Sequence, residues 1–182
     1  SVAVIGCGGV GLNVIQGARI AGATTIIAID RFESKLEMAR EFGATHTVLV
    51  EEGVDPVGAT MAANGGRGVD VAFEVIGLGP TIEQAINSPR AGGQVILVGV
   101  PRLDVMVNLN AAFTWLYLAK TIKGCWSGAA DVHRDVPKLL DLWQKGELKL
   151  EELISQEIGV DQVNEAFEAM QKGEVARSVI RH

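Results

Sequence analysis

The chain has 182 residues, of which 48% are apolar and 21% charged, enough for one large or two small globular domains. Its 16 Lys and Arg against 22 Asp and Glu give a net charge of −6, and no basic run could neutralise a row of phosphates, so we expect neither a nucleic-acid nor a membrane partner. Cys7 and Cys125 lie far apart, and no apolar stretch reaches the roughly 18 residues of a membrane span, so we predict a reduced, cytoplasmic protein.

The first 100 residues alternate between short runs rich in Val and Ile and longer segments with helical spacing. The predicted strands are Val2–Ile5, Thr25–Ile29, Thr47–Val50, Val69–Val75 and Gln94–Val100. The predicted helices between them are Val10–Ala21, Glu33–Phe42, Pro56–Ala63 and Thr81–Asn87. Because these strands are apolar almost throughout, we expect them to be buried on both faces of a sheet. The pattern predicts an α/β fold with a doubly wound parallel sheet of the Rossmann type.

The composition changes after Pro101. Residues 103–121 carry many apolar and aromatic side chains and few charges, and two interpretations stay open: an ordinary core helix, or a surface that contacts another subunit. Residues 122–126 predict a last, buried strand. Two amphipathic helices follow, one around Leu139 and one that begins at an Asp161 cap. Their apolar faces carry no reactive group, so we interpret both helices as structural.

The strongest local signal is a glycine-rich loop of sequence GCGGVG at Gly6–Gly11, between the first strand and the first helix. That placement is the one a dinucleotide-binding loop requires. Gly6 allows a tight turn, Gly8 lets the backbone approach a pyrophosphate, and Gly11 lets the helix pack closely on the strand. The helix N-terminus would then offer free N–H groups to phosphate oxygens. We therefore assign Gly6, Gly8, Gly9, Val10 and Gly11 to cofactor binding.

Asp30 ends the second strand, 19 positions after Gly11. A carboxylate there accepts hydrogen bonds from ribose hydroxyls and repels a 2′-phosphate, so we expect NAD in preference to NADP. The adjacent Arg31 could stack on adenine or tolerate some NADP, and Lys35 could reach back to the ribose. An Asp30 that merely caps the next helix is the alternative. A methyltransferase that binds S-adenosylmethionine also uses such a loop and acid, although the third glycine, Gly11, favours a dinucleotide.

Further motifs occur in a fixed order along the chain. They are KLEMAREFGAT at 35–45, GVDVAFEVIG at 68–77, GGQVILVGVP at 92–101, IKG at 122–124 and GEVARSVI at 173–180. Together with the loop, this set resembles the cofactor half of the zinc-dependent alcohol dehydrogenases of the medium-chain dehydrogenase/reductase superfamily, including the thiol-dependent formaldehyde dehydrogenases. The resemblance extends across essentially the whole chain. It implies hydride transfer between NAD and an alcohol, or a thiol adduct of formaldehyde.

The resemblance also implies cofactor contacts outside the glycine-rich loop. Val10 would pack on the nicotinamide, and Val75 and Ile76 would edge the ribose cleft, whereas Leu78 replaces a basic residue of the family. The nicotinamide carboxamide would meet the backbone of Val98, Gly99, Val100, Cys125 and Ser127. Arg177 would contact the pyrophosphate, as a guanidinium suits phosphate oxygens.

The family's zinc has no predicted ligands in this chain. Cys7, Cys125, His46, His133 and His182 show no metal-ligand spacing, so we assign neither a metal nor a catalytic residue. The chain opens on a strand without an initiator Met, and we expect the zinc ligands on a missing N-terminal part. We expect the chain alone to bind NAD without turnover.

We divide the chain into an NAD-binding domain at 1–126 and, at 127–182, a C-terminal α+β segment of an incomplete catalytic domain. Residues 103–118 would form a homodimer or homotetramer contact. A zinc-free, quinone-reductase-like oxidoreductase and a non-catalytic dinucleotide-binding module are the alternatives.

Overall fold

Strands and α-helices alternate along the chain over its first five strands. The computed structural model describes residues 1–181, so His182, named above as a candidate ligand, lies outside the described residues. The strands are β1 (Val2–Ile5), β2 (Ile26–Asp30), β3 (His46–Leu49), β4 (Val69–Glu74), β5 (Pro89–Leu97), β6 (Thr121–Gly124), β7 (Gln156–Ile158) and β8 (Ser178–Ile180). The α-helices are α1 (Gly9–Ile20), α2 (Glu33–Glu41), α3 (Pro56–Ala63), α4 (Gly79–Asn87), α5 (Val132–Gln144) and α6 (Val163–Gln171).

The first six strands form one parallel sheet in the order β3-β2-β1-β4-β5-β6. Helices α1 and α2 pack on one face of β1 and β2, around Leu12, Leu36 and Phe42. Helix α4 covers the other face, where Ile82 and Ile86 meet the strands. The predicted doubly wound α/β fold is therefore confirmed. In such a sheet the strand order reverses between β1 and β4, and a crevice opens there at the carboxyl ends of the strands.

The register of the sheet brings the carboxyl ends of all six strands level. Ile5 pairs with Ile29 and Glu74, Glu74 pairs with Leu97, and Leu97 pairs with Gly124. The residues that follow β1, β4 and β5 continue the ladder through backbone hydrogen bonds, as from Gly6 N to Ile29 O at 2.8 Å. The row at this level, which we call the carboxyl edge, consists of Leu49, Asp30, Gly6, Val75, Val98 and Cys125. Residues far apart in sequence thus meet along one line.

Burial differs from the prediction on the β6 side of the sheet. Strands β1 and β2 are buried almost throughout, but β5 alternates between buried and exposed residues. Strand β6 is the sheet edge and mostly exposed, and it ends at Gly124, so Cys125 is half-buried and lies beyond it. The prediction of strands buried on both faces, and of a buried strand over 122–126, is wrong there because no further strand or helix covers that edge within the described residues.

The aromatic segment before β6 is not a core helix. It forms a single six-residue π-helical turn, Ala112–Tyr117, in which only Thr114 is buried. Leu116 is 75% exposed and Tyr117 73% exposed, and Leu103 and Met106 are exposed as well. The core-helix interpretation is wrong, because the aromatic side chains of this turn are exposed and only Val107 and Leu109 of the stretch ahead of it pack against the core.

The C-terminal part of the chain contacts α1 through residues 147–153. Gln16 Oε1 accepts a hydrogen bond from Lys149 N at 2.7 Å, and Leu153 is completely buried in the core that α1 and α2 share. Strands β7 and β8 form a separate two-stranded parallel sheet. Asp161 does not cap α6, which begins at Val163 behind a 3₁₀ turn, Val160–Gln162.

Candidate functional site

The Gly6–Gly11 loop joins β1 to α1, and its conformation requires glycine. Gly6 adopts φ +98°, and a Cβ there would lie 2.6 Å from Cγ1 of Ile76. A Cβ on Gly11 would strike the carbonyl group of Gly6, with its carbon only 2.9 Å away. Gly8, the residue before α1, has no side chain to cap the helix. The first N–H groups of α1 therefore lack a side-chain partner, as an anion-binding helix N-terminus needs.

Asp30 connects this loop to the start of α2. Its Oδ2 accepts a hydrogen bond from Cys7 N at 2.8 Å, and its Oδ1 accepts one from Phe32 N at 3.1 Å. The carboxylate is half-buried, and each oxygen keeps a further lone pair for a ligand hydroxyl. Neither hydrogen bond caps α2, because Phe32 is the residue before that helix and the helix start has no side-chain cap, so the capping alternative is wrong. Asp30 is thus oriented from two sides.

Two cations flank Asp30. The guanidinium of Arg31 lies 4.7 Å from the centroid of the Phe32 ring, in cation–π geometry. Lys35 Nζ lies 3.9 Å from the position that a Cβ on Gly8 would take, and nothing else comes within 4 Å of that position. The space above Gly8 is therefore open, with a positive charge at its rim.

A central cleft of about 410 Å³ lies at the carboxyl ends of β1, β2 and β4. Its lining residues are Ile5, Gly6, Gly8, Ile29, Asp30, Arg31, Phe32, Lys35, Val50, Val75, Ile76, Leu78, Thr81 and Gln84. Seven predicted site residues line it: Gly6, Gly8, Asp30, Arg31, Lys35, Val75 and Ile76. Gly9, Val10 and Gly11 belong to the same loop, and Val10 is exposed. Sequence reasoning did not single out Val50, Thr81 or Gln84, although Val50 directly follows the end of β3.

A second group of predicted residues follows β5 and β6 and does not line the central cleft. Val98 N and Gly99 N both donate to Glu74 O, at 2.8 and 3.0 Å, and Cys125 N donates to Leu97 O at 2.8 Å. These three N–H groups donate hydrogen bonds within the sheet, so they are not free to donate to a ligand. Val100 is 71% exposed, and Ser127 holds a left-handed conformation with φ +48°.

Arg177 reaches the glycine-rich loop from the far end of the chain. Its Nη2 lies 3.9 Å from the position that a Cβ on Gly9 would take, and the carbonyl oxygen of Ala176 lies 3.1 Å from it. Gly173 packs nearby on Phe32, whose ring a Cβ would approach to 2.5 Å. The C-terminal segment thus closes one side of the loop. Nothing local in the sequence around Arg177 indicates this.

Sequence reasoning missed Glu74, the last residue of β4. Its side chain is completely buried, and Oε1 accepts hydrogen bonds from Ile76 N at 2.9 Å, Gly77 N at 2.8 Å and Thr81 Oγ1 at 2.7 Å. Its Oε2 is buried without a partner. The available signal was an acidic residue inside the otherwise apolar stretch VAFEVIG.

The Cys7 thiol in the glycine-rich loop is unreactive at neutral pH. Burial, helped by the nearby Asp30, raises the pKa of Cys7 to about 12, so its thiol stays protonated at neutral pH. Within residues 1–181, no three His, Cys, Asp or Glu side chains come together as a metal site. Across the same residues, no helix has the length and apolar character needed to cross a membrane.

Comparison with known proteins agrees with this geometry. A family model described as zinc-binding dehydrogenase matches residues 9–145. Alcohol dehydrogenase 1 of Zea mays is 37% identical over 182 residues, which are 100% of this chain and 48% of that protein. S-(hydroxymethyl)glutathione dehydrogenase of Haemophilus influenzae is 34% identical and likewise covered to 48%. The crystal structure of an alcohol dehydrogenase zinc-binding domain protein from Burkholderia ambifaria superposes with a TM-score of 0.91 at 34% identity, over 100% of this chain and 48% of that one. The chain thus spans about half the length of these relatives.

Proposed function

The chain belongs to the zinc-binding dehydrogenase family, and on that premise we propose that it is the NAD-binding part of an alcohol dehydrogenase. The observation that carries this proposal is the carboxyl edge, which brings the Gly6–Gly11 loop and the Asp30 carboxylate together at one cleft. None of the relatives named above is a methyltransferase.

The residues present fit a dinucleotide. The open space above Gly8, bordered by Lys35 Nζ and by the uncapped start of α1, suits a pyrophosphate. Arg177 adds a second cation beside Gly9. Asp30, held by Cys7 N and Phe32 N, would accept hydrogen bonds from the adenosine ribose hydroxyls. Arg31 would lie against the adenine, because it already stacks on Phe32 at the rim of the cleft.

The nicotinamide would lie toward β5 and β6, beside Val10. Since the N–H groups of Val98, Gly99 and Cys125 are used in the sheet, we propose that carbonyl oxygens of this strip, together with Val100 and Ser127, meet the carboxamide. Val75 and Ile76 would edge the ribose between the two halves. Bound NAD supplies a hydride acceptor, and this chain's residues orient it.

Zinc, the alcohol pocket and the proton relay belong to the other half of the protein in this proposal. The relatives are about twice as long as this chain, and one acts, by its name, on S-(hydroxymethyl)glutathione. We therefore propose an alcohol, or a thiol adduct of formaldehyde, as the substrate. The chain alone would bind NAD without turning over an alcohol, and we place the division between its two parts after Trp126.

We propose a homo-oligomer and a reducing, cytoplasmic setting as well. The exposed apolar side chains of the segment 103–118 lie just before β6, the exposed edge strand of the sheet, and a second copy would cover both. Both cysteines are free thiols.

Calorimetric titration of NAD and NADP tests the cofactor assignment. Asp30→Asn removes the charge and keeps one acceptor oxygen, whereas Asp30→Ala removes the charge and both acceptor oxygens. We expect the wild-type chain to prefer NAD, and the preference to fall by roughly tenfold in Asp30→Asn, because the repulsion of a 2′-phosphate is lost. Equal wild-type affinity for the two cofactors, or a preference that neither substitution alters, would refute it.

A further inference from the structure

Glu74 is a buried acid with no ion-pair partner. None of the salt bridges formed by residues 1–181 includes it. Oε1 is saturated by two backbone N–H groups and the Thr81 hydroxyl, but Oε2 is buried without any partner. A buried charge left uncompensated is costly, and a carboxylate of this kind calls for a specific reason.

The unpartnered oxygen lies beneath the strip that follows β5. A Cβ built on Gly99 would come within 2.7 Å of Glu74 Oε2 and 2.6 Å of Ile76 N, so the backbone of Gly99 rests directly on the carboxyl group. The same Glu74 holds the Ile76–Gly77 turn through Oε1, and a Cβ on Gly77 would lie 2.6 Å from the carbonyl carbon of Val100. The Glu74 side chain therefore contacts and positions two backbone segments that face each other, Val75–Ile76 and Val98–Val100; we call them the two walls.

Those two walls are the ones between which the proposed function places the nicotinamide. The nicotinamide ring is positively charged in NAD⁺ and neutral in NADH, whereas the rest of the cofactor is the same in both. A fixed negative charge beneath the strip would lower the free energy of the oxidised form alone, and the cation would supply the compensation that Glu74 lacks among the described residues.

We propose that Glu74 is a positioning residue whose buried charge biases the cleft toward the oxidised cofactor. This inference rests on the proposed function and adds to it a preference of the cleft for the oxidised form of the cofactor. One unit charge within about 12 Å, at an effective dielectric constant of about 20, corresponds to roughly tenfold in affinity.

The test compares three ligands by calorimetry on the whole chain: NAD⁺, NADH and ADP-ribose, which has no nicotinamide. Glu74→Gln keeps an acceptor oxygen for the three donors and removes the charge. We expect it to weaken NAD⁺ about tenfold and to leave NADH and ADP-ribose within about twofold. Thr81→Val is the matched control, because it removes one hydrogen bond to Oε1 and keeps the charge, so the ratio of NAD⁺ to NADH affinity should not change.

A merely structural role gives a different result. Equal weakening of all three ligands in Glu74→Gln, or an unchanged ratio of NAD⁺ to NADH affinity, would overturn the inference while the proposed function stands. Glu74→Met, neutral and of similar volume, repeats the test if the glutamine variant does not fold, and failure of both variants to fold would mark Glu74 as structural only and overturn it. A wild-type chain that binds neither NAD⁺ nor ADP-ribose would overturn the proposed function, and the inference with it.

Discussion

Replacing Gly11 with alanine is expected to unfold part of the site, whereas the same replacement at Gly17 in the same helix is expected to stabilise the chain. Both glycines lie in α1 and have helical neighbours on each side. A Cβ on Gly11 would collide with the backbone carbonyl of Gly6, but a Cβ on Gly17 would meet no atom within 4 Å. The two substitutions therefore share their chemistry and differ only in the space around them.

The magnitudes follow from that difference. Alanine in an exposed helix position is more stable than glycine by about 0.5–1 kcal/mol, so Gly17→Ala should raise the free energy of unfolding by that amount. Gly11→Ala gains the same propensity but overpacks against a backbone group that no rotamer change can move. Overpacking of this kind costs about 1–3 kcal/mol or more, so we expect a net loss of about 2 kcal/mol. The helix must also shift away from β1, which would displace the Gly6–Gly11 loop and weaken NAD.

Urea unfolding followed by circular dichroism measures both effects. With a slope of about 2 kcal/mol per molar, the two midpoints should differ by about 1 M or more, at an unchanged slope. Calorimetry on the folded Gly11→Ala chain should show NAD binding weakened, and Gly17→Ala should bind as the wild type does. Equal midpoints for the two variants would refute the argument that close contact between α1 and β1 sets the need for glycine here.

Two further predictions concern residues remote from the cleft. Lys120 is buried, and its Nζ donates to Ile86 O at 2.8 Å. Burial lowers the pKa of Lys120 below the ordinary 10.5, so between these two values the unfolded chain binds more protons than the folded chain. The free energy of unfolding should therefore rise with pH in that range. Lys120→Met should lower the free energy of unfolding by about 1–3 kcal/mol at pH 7, because it leaves backbone carbonyls unpaired, and its difference from the wild type should widen toward pH 10. Urea titrations at several pH values measure this, and a difference between the two proteins that does not change with pH would contradict it. Leu116→Glu should change the free energy of unfolding by no more than about 0.5 kcal/mol, because Leu116 is 75% exposed. The same substitution should dissociate the proposed oligomer, and an unaltered mass in sedimentation experiments would contradict the proposed contact.

Most of the sheet could be predicted from the sequence because its inner strands are short and rich in β-branched residues. Strands β1 and β2 appear within a residue or so of their predicted ends, since each is apolar and stops at a glycine or at Asp30. Strand β5 begins at Pro89, five residues ahead of the predicted Gln94, because Gly92 and Gly93 resemble a turn and lie inside the strand. The exposure of β6 could not be predicted, because a strand at the edge and a strand in the middle of a sheet can share one composition.

The site residues also differ in whether a local sequence pattern could predict them. Asp30 and the glycine-rich loop have local signatures, and parallel register alone brings them level, so their meeting was predictable. Arg177 was predicted only by resemblance, because its position beside Gly9 depends on how β8 packs, a long-range contact without a local pattern. Glu74 was missed because an acid at a strand end usually points to solvent, and only the packing of α4 and Gly99 shows that this one is buried.

The positions of Asp30 and Glu74 explain why one cleft can treat the two ends of a dinucleotide differently. Asp30 is the last residue of β2 and Glu74 the last residue of β4, so the two acids lie on opposite sides of β1. Asp30 is half-buried with lone pairs open to the cleft, so it can accept hydrogen bonds from a ligand directly. Glu74 is wholly buried, so in the inference above it would act through the turn it holds and through its charge and would not touch the ligand. Selection between NAD and NADP and selection between NAD⁺ and NADH would therefore be separable. Asp30→Asn should change the first ratio and leave the second, and Glu74→Gln should do the reverse.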